Sequence, residues 1–187
     1  MLDAAEAGDS EAQCQLGLMF FNGIDVEKDI QMAFDWFSRA SDLGNATSLQ
    51  CLGVMYQQGI SVQQNFEKAF DYYYKSAEQD NVDAIYNLGE MHASAIGVNQ
   101  DYQEAHKWYL KAAELKDPGA QFALGTMYAK GEGVETDLLI SYGWLNLSYE
   151  NGRSDSLEAM NYVKSMMSDQ QINKINLITS TFIAKYI

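Results

Sequence analysis

The sequence predicts an all-α fold, a right-handed α/α solenoid built from helix-turn-helix repeats. Three observations support this prediction. One proline, Pro118, occurs in the 187 residues, and the strong helix formers Ala, Leu, Met, Glu, Lys and Gln fill long stretches. In those stretches apolar residues recur every three or four positions, as on one face of a helix. The same pattern then returns at a fixed spacing, which is typical of stacked helical hairpins.

The repeat has a period of 36 residues. It is clearest at four Leu-Gly pairs, whose glycines are Gly17, Gly53, Gly89 and Gly125. Each unit holds two helical stretches joined by a short connection, so each unit is predicted to be a helical hairpin. Other columns keep the same register, and the most regular are Met19, Met55, Met91 and Met127; Val26, Val62, Val98 and Val134; and Trp36, Tyr72, Trp108 and Trp144.

The four repeat glycines lie in the middle of predicted helices, where glycine destabilises by about 1 kcal/mol relative to alanine. Because this cost recurs at one position, we expect the second helix of each hairpin to cross there too closely for a Cβ atom. A further glycine, at Gly23, Gly59 and Gly131, is expected to end the first helix in a left-handed conformation. The third repeat differs, with Ala95 at that position and Gly97 two residues later.

Polar residues mark where the second helices begin. A side-chain oxygen at each of these positions can cap free backbone N–H groups. The four predicted N-caps are Asp29, Asn65, Asp101 and Asp137.

The predicted organisation is a single domain of four repeats between two end segments. Residues 1–7 resemble the end of a preceding second helix or an N-terminal cap. Residues 152–187 are predicted to form capping helices, because a terminal repeat must cover its open face. The repeats themselves are placed at residues 8–43, 44–79, 80–115 and 116–151.

Two helices are predicted after Ser154, where the repeat columns stop. Ser168 and Gln171 fit a capping box at the start of the second of these helices. An apolar stripe is expected to pack this helix against the last repeat, and it consists of Ile172, Ile175, Ile178 and Phe182.

The columns together resemble the Sel1-like repeat, a relative of the tetratricopeptide repeat. The shared pattern is Ala-x3-Leu-Gly-x-Met-Tyr-x2-Gly-x2-Val-x2-Asp/Asn-x3-Ala-x2-Trp/Tyr-Tyr, and it covers residues 8–151. The resemblance implies a bacterial α-solenoid that binds other proteins. It also implies that the first helices line a concave face.

The chain is strongly acidic, with a formal net charge of −14 and an isoelectric point near 4.3. Phosphate recognition requires clustered Lys and Arg, so the composition argues against nucleic acid and anionic membranes. No apolar run approaches the ~20 residues of a membrane span. We therefore expect a monomer that binds a protein or peptide, with a preference for basic partners. The N-terminal residues lack a secretory signal, which predicts a cytoplasmic location, or a periplasmic or secreted one if a leader has been removed.

The sequence contains no recognised catalytic motif. It lacks a Ser-x-x-Lys and a Gly-x-Ser-x-Gly, which are the usual nucleophile motifs of serine hydrolases. The two histidines, His92 and His106, occupy columns that hold aromatic residues in other repeats, so they are interpreted as packing residues. Cys14 and Cys51 are predicted to be reduced and largely buried. No enzyme activity, cofactor or metal is therefore expected.

Binding residues are expected in the columns of the first helices that vary between repeats, because uniform columns serve packing. By analogy with tetratricopeptide grooves, the inner columns lie three residues before the repeat glycine, and one and four residues after it. One further column lies six residues before the glycine and contains Asp83. The leading candidates are Asp83, Tyr86, Glu90 and Phe122. Tyr86 and Phe122 have an alternative role, namely packing between neighbouring first helices. Further candidates in these columns are Leu18, Phe21, Gln50, Gln57 and Thr126.

Three functions are compatible with these features of the sequence. The leading hypothesis is a scaffold or adaptor that binds a protein or peptide in the concave groove. The second is an immunity protein or inhibitor that masks a basic toxin or effector. A β-lactam hydrolase, an activity described for some relatives, is a distant third because no nucleophile and base can be named.

Overall fold

The computed structural model describes residues 1–186, with side chains up to residue 182. In this range the chain forms twelve helices and no β-strand, which confirms the all-α prediction. Helices α1–α6 are Leu2–Glu6, Ser10–Asn22, Ile30–Asp42, Ala46–Gln58, Phe66–Ala77 and Val82–Ser94. Helices α7–α12 are Tyr102–Glu114, Pro118–Lys130, Leu138–Glu150, Ser156–Ser165, Asp169–Ile172 and Ile175–Tyr186.

The helices fall into two compact units, and the division passes through α6. The first unit comprises Met1–Asn87 and Ile96–Val98, and the second comprises Leu88–Ala95 and the chain from Asn99 onward. In the first unit α2 packs on α3, α3 on α4, and α4 on α5. In the second unit α7 packs on α8 and α8 on α9. Successive helices thus form the hairpins that the repeat predicts.

The repeat glycines are the points of closest approach between paired helices. A Cβ atom added at any of them would lie 2.5–2.7 Å from a side chain of the second helix, which is closer than van der Waals contact allows. This confirms the expected reason for a mid-helix glycine. The pairs are Gly17 with Phe37, Gly53 with Tyr73, Gly89 with Tyr109, and Gly125 with Leu145.

The predicted helix ends are confirmed. Asp29, Asn65, Asp101 and Asp137 each accept a hydrogen bond from backbone N–H groups of the helix that follows. The side-chain caps begin α3, α5, α7 and α9 at equivalent positions, so the second helices start in register.

The first helices end at left-handed residues. Gly23, Gly59 and Gly131 have φ values of 72°, 70° and 76°. Ala95 takes the same conformation without being glycine, with φ of 56°. A left-handed residue with a Cβ costs about 1–2 kcal/mol. The third repeat therefore keeps the geometry of the others at the expense of local strain.

Two buried glutamines tie the N-terminal turn of a first helix to the helix before it. The Gln13 side chain donates to the Ala5 carbonyl at 2.8 Å, and the Gln121 side chain donates to the Ala113 carbonyl at 3.1 Å. The two bonds are equivalent within the repeat. Helix α1 is therefore bonded to α2 in the same way as the C-terminal end of α7 is bonded to α8.

Aromatic rings of neighbouring hairpins pack edge to face, and His106 takes part in this packing. In the first unit the Phe34 ring lies edge-on to Tyr56, with centroids 6.0 Å apart. In the second unit His106 makes the equivalent contact with Tyr128 at 5.7 Å. Its Nε2 atom is buried without a hydrogen-bond partner among the described residues, and burial lowers the pKa of the imidazole. The interpretation of His106 as a packing residue is therefore confirmed.

The C-terminal segment forms three helices where two were predicted. The capping box of Ser168 and Gln171 is present, but the helix it starts ends at Ile172. A turn at residues 173–174 separates α11 from α12, and asparagine, at position 173, has a low helix propensity. Ile172 and Ile175, on either side of the turn, pack against the same apolar cluster.

Helix α12 covers one side of α9. A Cβ atom at Gly143 would meet the Phe182 ring at 2.8 Å, and the Phe182 and Trp144 rings lie edge to face with centroids 5.4 Å apart. The apolar stripe predicted from the sequence therefore serves to close the last hairpin, as expected of a capping helix.

Replacement of Gly89 by alanine tests the close approach. We expect Gly89→Ala to lower the free energy of unfolding by about 1–3 kcal/mol, because the new methyl group would displace the Tyr109 ring. In a Tyr109→Ala background the same change should instead raise stability by up to about 1 kcal/mol, through the better helix propensity of alanine. Urea melts of the four proteins provide the measurement. Equal destabilisation in both backgrounds would show that the ring is not the obstacle.

His106 gives a second prediction, on pH dependence. Burial lowers the pKa of the His106 imidazole in the folded protein. In the unfolded chain the imidazole has its ordinary pKa of about 6.5, so the unfolded chain binds a proton at a higher pH than the folded protein does. Wild-type stability should therefore be complete above that pH and fall on acidification. His106→Phe should remove part of this loss. Thermal melts at pH 8, 6 and 5 measure it, and parallel curves for the two proteins would contradict the prediction.

Candidate functional site

The nine predicted binding residues all lie on first helices, but they divide between the two units. Each unit therefore has its own candidates. In the first unit are Leu18, Phe21, Gln50, Gln57, Asp83 and Tyr86, and in the second are Glu90, Phe122 and Thr126.

Three of the predicted residues meet at one cavity. Leu18 and Phe21 of α2 and Gln50 of α4 border an opening of about 250 Å³ in the first unit. We call it the first-unit pocket. Its remaining lining residues are Asn22, Phe37, Cys51, Val54 and Met55.

The close approach at the repeat glycine shapes this pocket. Phe37 of α3, which lines the pocket, lies against Gly17 and is 1% exposed. The Phe21 ring lies 6.4 Å from it, centroid to centroid, at a tilted angle. Both α2 and α4 pack on α3, which leaves the pocket open between them.

The thiols near the pocket are protonated groups. Burial raises the pKa of Cys51 to about 12, with smaller contributions from Cys14 and the Asp83 carboxylate. Burial also raises the pKa of Cys14, and Glu11 adds to the effect. Neither thiol has the lowered pKa of a cysteine nucleophile. The same interactions show that Glu11 and Asp83 lie near the two thiols.

The first unit carries most of the negative charge of the protein. It contains fourteen acidic and four basic residues, a formal net charge of −10 out of −14. Three of its cations lie over aromatic rings: Lys28 over Phe21, Arg39 over Trp36, and Lys68 over Tyr56, at 5.8, 4.7 and 5.0 Å from the ring centroids. This uneven distribution was not predicted from the sequence, although counting charges repeat by repeat would have shown it.

Two predicted binding residues have structural partners. The Tyr73 hydroxyl donates to Gln57 Oε1 at 2.6 Å, and the Tyr109 hydroxyl donates to Glu90 Oε1. Tyr73 and Tyr109 are the rings that pack on the repeat glycines, and each hydroxyl needs an acceptor when it is buried. Gln57 and Glu90 therefore take part in helix pairing.

Phe122 is covered in part by the chain itself. The Arg153 guanidinium lies 4.1 Å from the centroid of its ring, and two hydrogen bonds to Asp155, at 2.9 and 3.1 Å, hold the guanidinium there. Phe122 also packs against the cluster that contains Met160. The Thr126 hydroxyl donates to the Phe122 carbonyl at 3.0 Å. For Phe122 the structure thus favours the packing alternative.

The two leading candidates of the first unit, Asp83 and Tyr86, differ in solvent exposure. Asp83 is exposed in the first turn of α6, whereas Tyr86, one turn later, is half-buried.

The described part of the chain shows neither a metal site nor a membrane span. No cluster of three His, Cys, Asp or Glu residues within it has the arrangement of a metal site. Across residues 1–186, no helix combines the length and hydropathy needed to cross a bilayer.

Solved structures of similar fold are repeat proteins. A Sel1 repeat protein from Oxalobacter formigenes is 29% identical, matches 82% of this chain and 63% of its own, and has a TM-score of 0.76. A protective antigen of uropathogenic Escherichia coli with an SLR fold is 27% identical over 98% of this chain and 47% of its own, with a TM-score of 0.59. Cysteine rich protein B of Helicobacter pylori, at 23% identity and a TM-score of 0.56, shares the fold over 71% of this chain and 95% of its own.

Sequence comparison agrees with the structural one. A sel1-like repeat-containing protein, L18, of Acanthamoeba polyphaga mimivirus is 44% identical over 46 residues, which are 25% of this chain and 8% of the viral protein. This chain thus spans less than two thirds of that relative and of the first two structures. The Sel1 repeat profile matches four segments, residues 10–45, 52–81, 82–117 and 118–152. The chain therefore belongs to the Sel1 repeat family, and its fold is the α/α solenoid of that family.

Proposed function

We propose that this chain is a non-catalytic adaptor or scaffold that binds a protein or peptide through the inner face of its first helices. Sel1 repeat proteins generally mediate protein–protein interactions. The observation that carries the proposal is the first-unit pocket, an apolar opening in an acidic unit. Leu18, Phe21 and Gln50, which border it, come from the columns that vary between repeats. Leu18 and Phe21 pack against the core cluster that contains Phe37 and also line the opening.

The pocket suits a side chain better than a small-molecule substrate. Its volume of about 250 Å³ lies below the roughly 300–1,000 Å³ of typical ligand sites. Its walls are mainly apolar, with the amides of Gln50 and Asn22 at its edge. Buried apolar anchors surrounded by polar groups are characteristic of protein interfaces.

A second candidate function is inhibition of a basic toxin or effector, as by an immunity protein. The net charge of −10 in the first unit favours it, because an acidic surface can mask a cationic one and accelerate association. Both functions use the same surface, and the identity of the partner distinguishes them.

The third candidate, a β-lactam hydrolase, has less support. Such an enzyme requires an activated nucleophile. The pKa values of both thiols in this chain are raised, which disfavours the thiolate.

The binding function predicts a partner with a measurable dissociation constant. Affinity purification from the source cells, with mass spectrometry, should identify a protein whose purified form binds this chain in calorimetry. Leu18→Ala and Phe21→Ala should each weaken binding more than fivefold, which corresponds to about 1 kcal/mol for a contact anchor. Tyr162→Ala, an exposed aromatic of α10 in the second unit, is the control. An inhibitor would in addition abolish the toxicity of the partner.

If Tyr162→Ala weakened binding and the first-unit variants did not, the interface would lie in the second unit. Failure to find any partner that binds as a purified protein would contradict the proposed function.

Absence of hydrolysis is a separate prediction. The purified protein should not hydrolyse a chromogenic β-lactam faster than buffer, since no activated nucleophile has been located. Initial rates over a range of substrate concentrations provide the measurement. Saturable turnover that persists through a second purification would support the hydrolase hypothesis instead.

A further inference from the structure

We propose that the first-unit pocket binds one apolar side chain of a cationic peptide segment, with Lys or Arg residues on either side of that apolar residue. This inference rests on the proposed function. It goes further in specifying the chemistry of the partner and the part of the chain that contacts it.

The interior of the pocket is built for a single apolar side chain. The apolar lining includes Leu18 of α2, Phe37 of α3 and Val54 of α4. Phe37 cannot retreat, since its ring is already in contact with the Cα region of Gly17. The volume of about 250 Å³ equals that of several water molecules at about 30 Å³ each, which is enough for one large side chain.

Carboxylates lie near the two thiols that mark this face of the first helices. Glu11, in the first turn of α2, interacts electrostatically with the buried Cys14. Asp83, in the first turn of α6, interacts in the same way with Cys51, which lines the pocket. Glu11 is also oriented, because its two carboxylate oxygens accept hydrogen bonds from Gln15 and Asn45. The hydrogen bond from Asn45, the N-cap of α4, places the Glu11 carboxylate beside the start of that helix.

The unit has few cations of its own to neutralise these charges. Lys28, Arg39 and Lys68 lie over aromatic rings, and Lys28 covers the face of Phe21 at the edge of the pocket. Against fourteen acidic residues, an anionic partner would be repelled and a cationic one attracted. Charge complementarity therefore selects a basic segment, and the apolar pocket determines where along that segment its anchor lies.

A random peptide library displayed on phage tests this inference with the intact chain as bait. We expect enrichment of sequences in which Leu, Met or Phe is flanked by Lys or Arg. A synthetic peptide of the consensus sequence should bind with a dissociation constant that rises with salt. Replacing its basic residues by Glu should weaken binding more than tenfold.

Variants of the chain locate the site. Val54→Phe, which fills the pocket, and Asp83→Lys should each weaken consensus-peptide binding more than fivefold in fluorescence anisotropy. The matched control is Glu67→Lys, which makes the same change of charge at an exposed position of α5. This control should change the dissociation constant less than twofold. Circular dichroism and thermal melts would verify that each variant is folded, and Leu18→Ala replaces Val54→Phe if the latter is not.

The outcomes separate this inference from the proposed function. Enrichment of acidic or uncharged peptides, or equal affinity of wild type and the pocket variants, would overturn the inference and leave a protein-binding function intact. If no peptide is enriched but a purified protein partner binds, the inference is also overturned and the protein-binding function is retained. Absence of both peptides and protein partners would contradict the proposed function as well.

Discussion

The close approach of paired helices at the repeat glycine is the contact on which the rest of the structure depends. Only a residue without a Cβ atom lets Phe37, Tyr73, Tyr109 and Leu145 rest against the first helix. Each contact buries a large side chain that is at most 2% exposed. At about 25 cal/mol per Å² of apolar area, such burial outweighs the roughly 1 kcal/mol that a mid-helix glycine costs. The hairpins share one geometry because this contact recurs in each of them.

The same contact determines which of the candidate residues are engaged in packing. Where the packed ring is tyrosine, its buried hydroxyl needs an acceptor, and Gln57 and Glu90 provide one. Where the ring is phenylalanine, as at Phe37, no acceptor is needed, and the first helices can carry apolar residues around it. The first-unit pocket is lined by this ring together with residues of α2 and α4.

Charge and aromatic packing are linked in the first unit. Three of its four cations lie over ring faces, a contact worth about 0.5–1 kcal/mol at exposed sites, and a surface ion pair contributes a similar amount. The formal net charge of the unit is −10, so its field favours cationic over anionic molecules. In the second unit, by contrast, Arg153 contacts both Phe122 and Asp155, and the half-buried Phe122 packs against the cluster that contains Met160.

The sequence by itself determined the hairpins, their register, the N-caps and the reason for the repeat glycines, because these depend on local periodicity and on contacts repeated four times. It also selected Leu18, Phe21 and Gln50 as candidate binding residues. Only the tertiary structure decided that these three border a common pocket, while Gln57, Glu90 and Phe122 serve packing. The break between Ile172 and Ile175 was likewise visible only in the structure. The physical reason is that a helical period fixes the face on which a side chain lies, whereas its neighbours depend on the spacing of helices and on side-chain rotamers, which no single segment of the chain specifies.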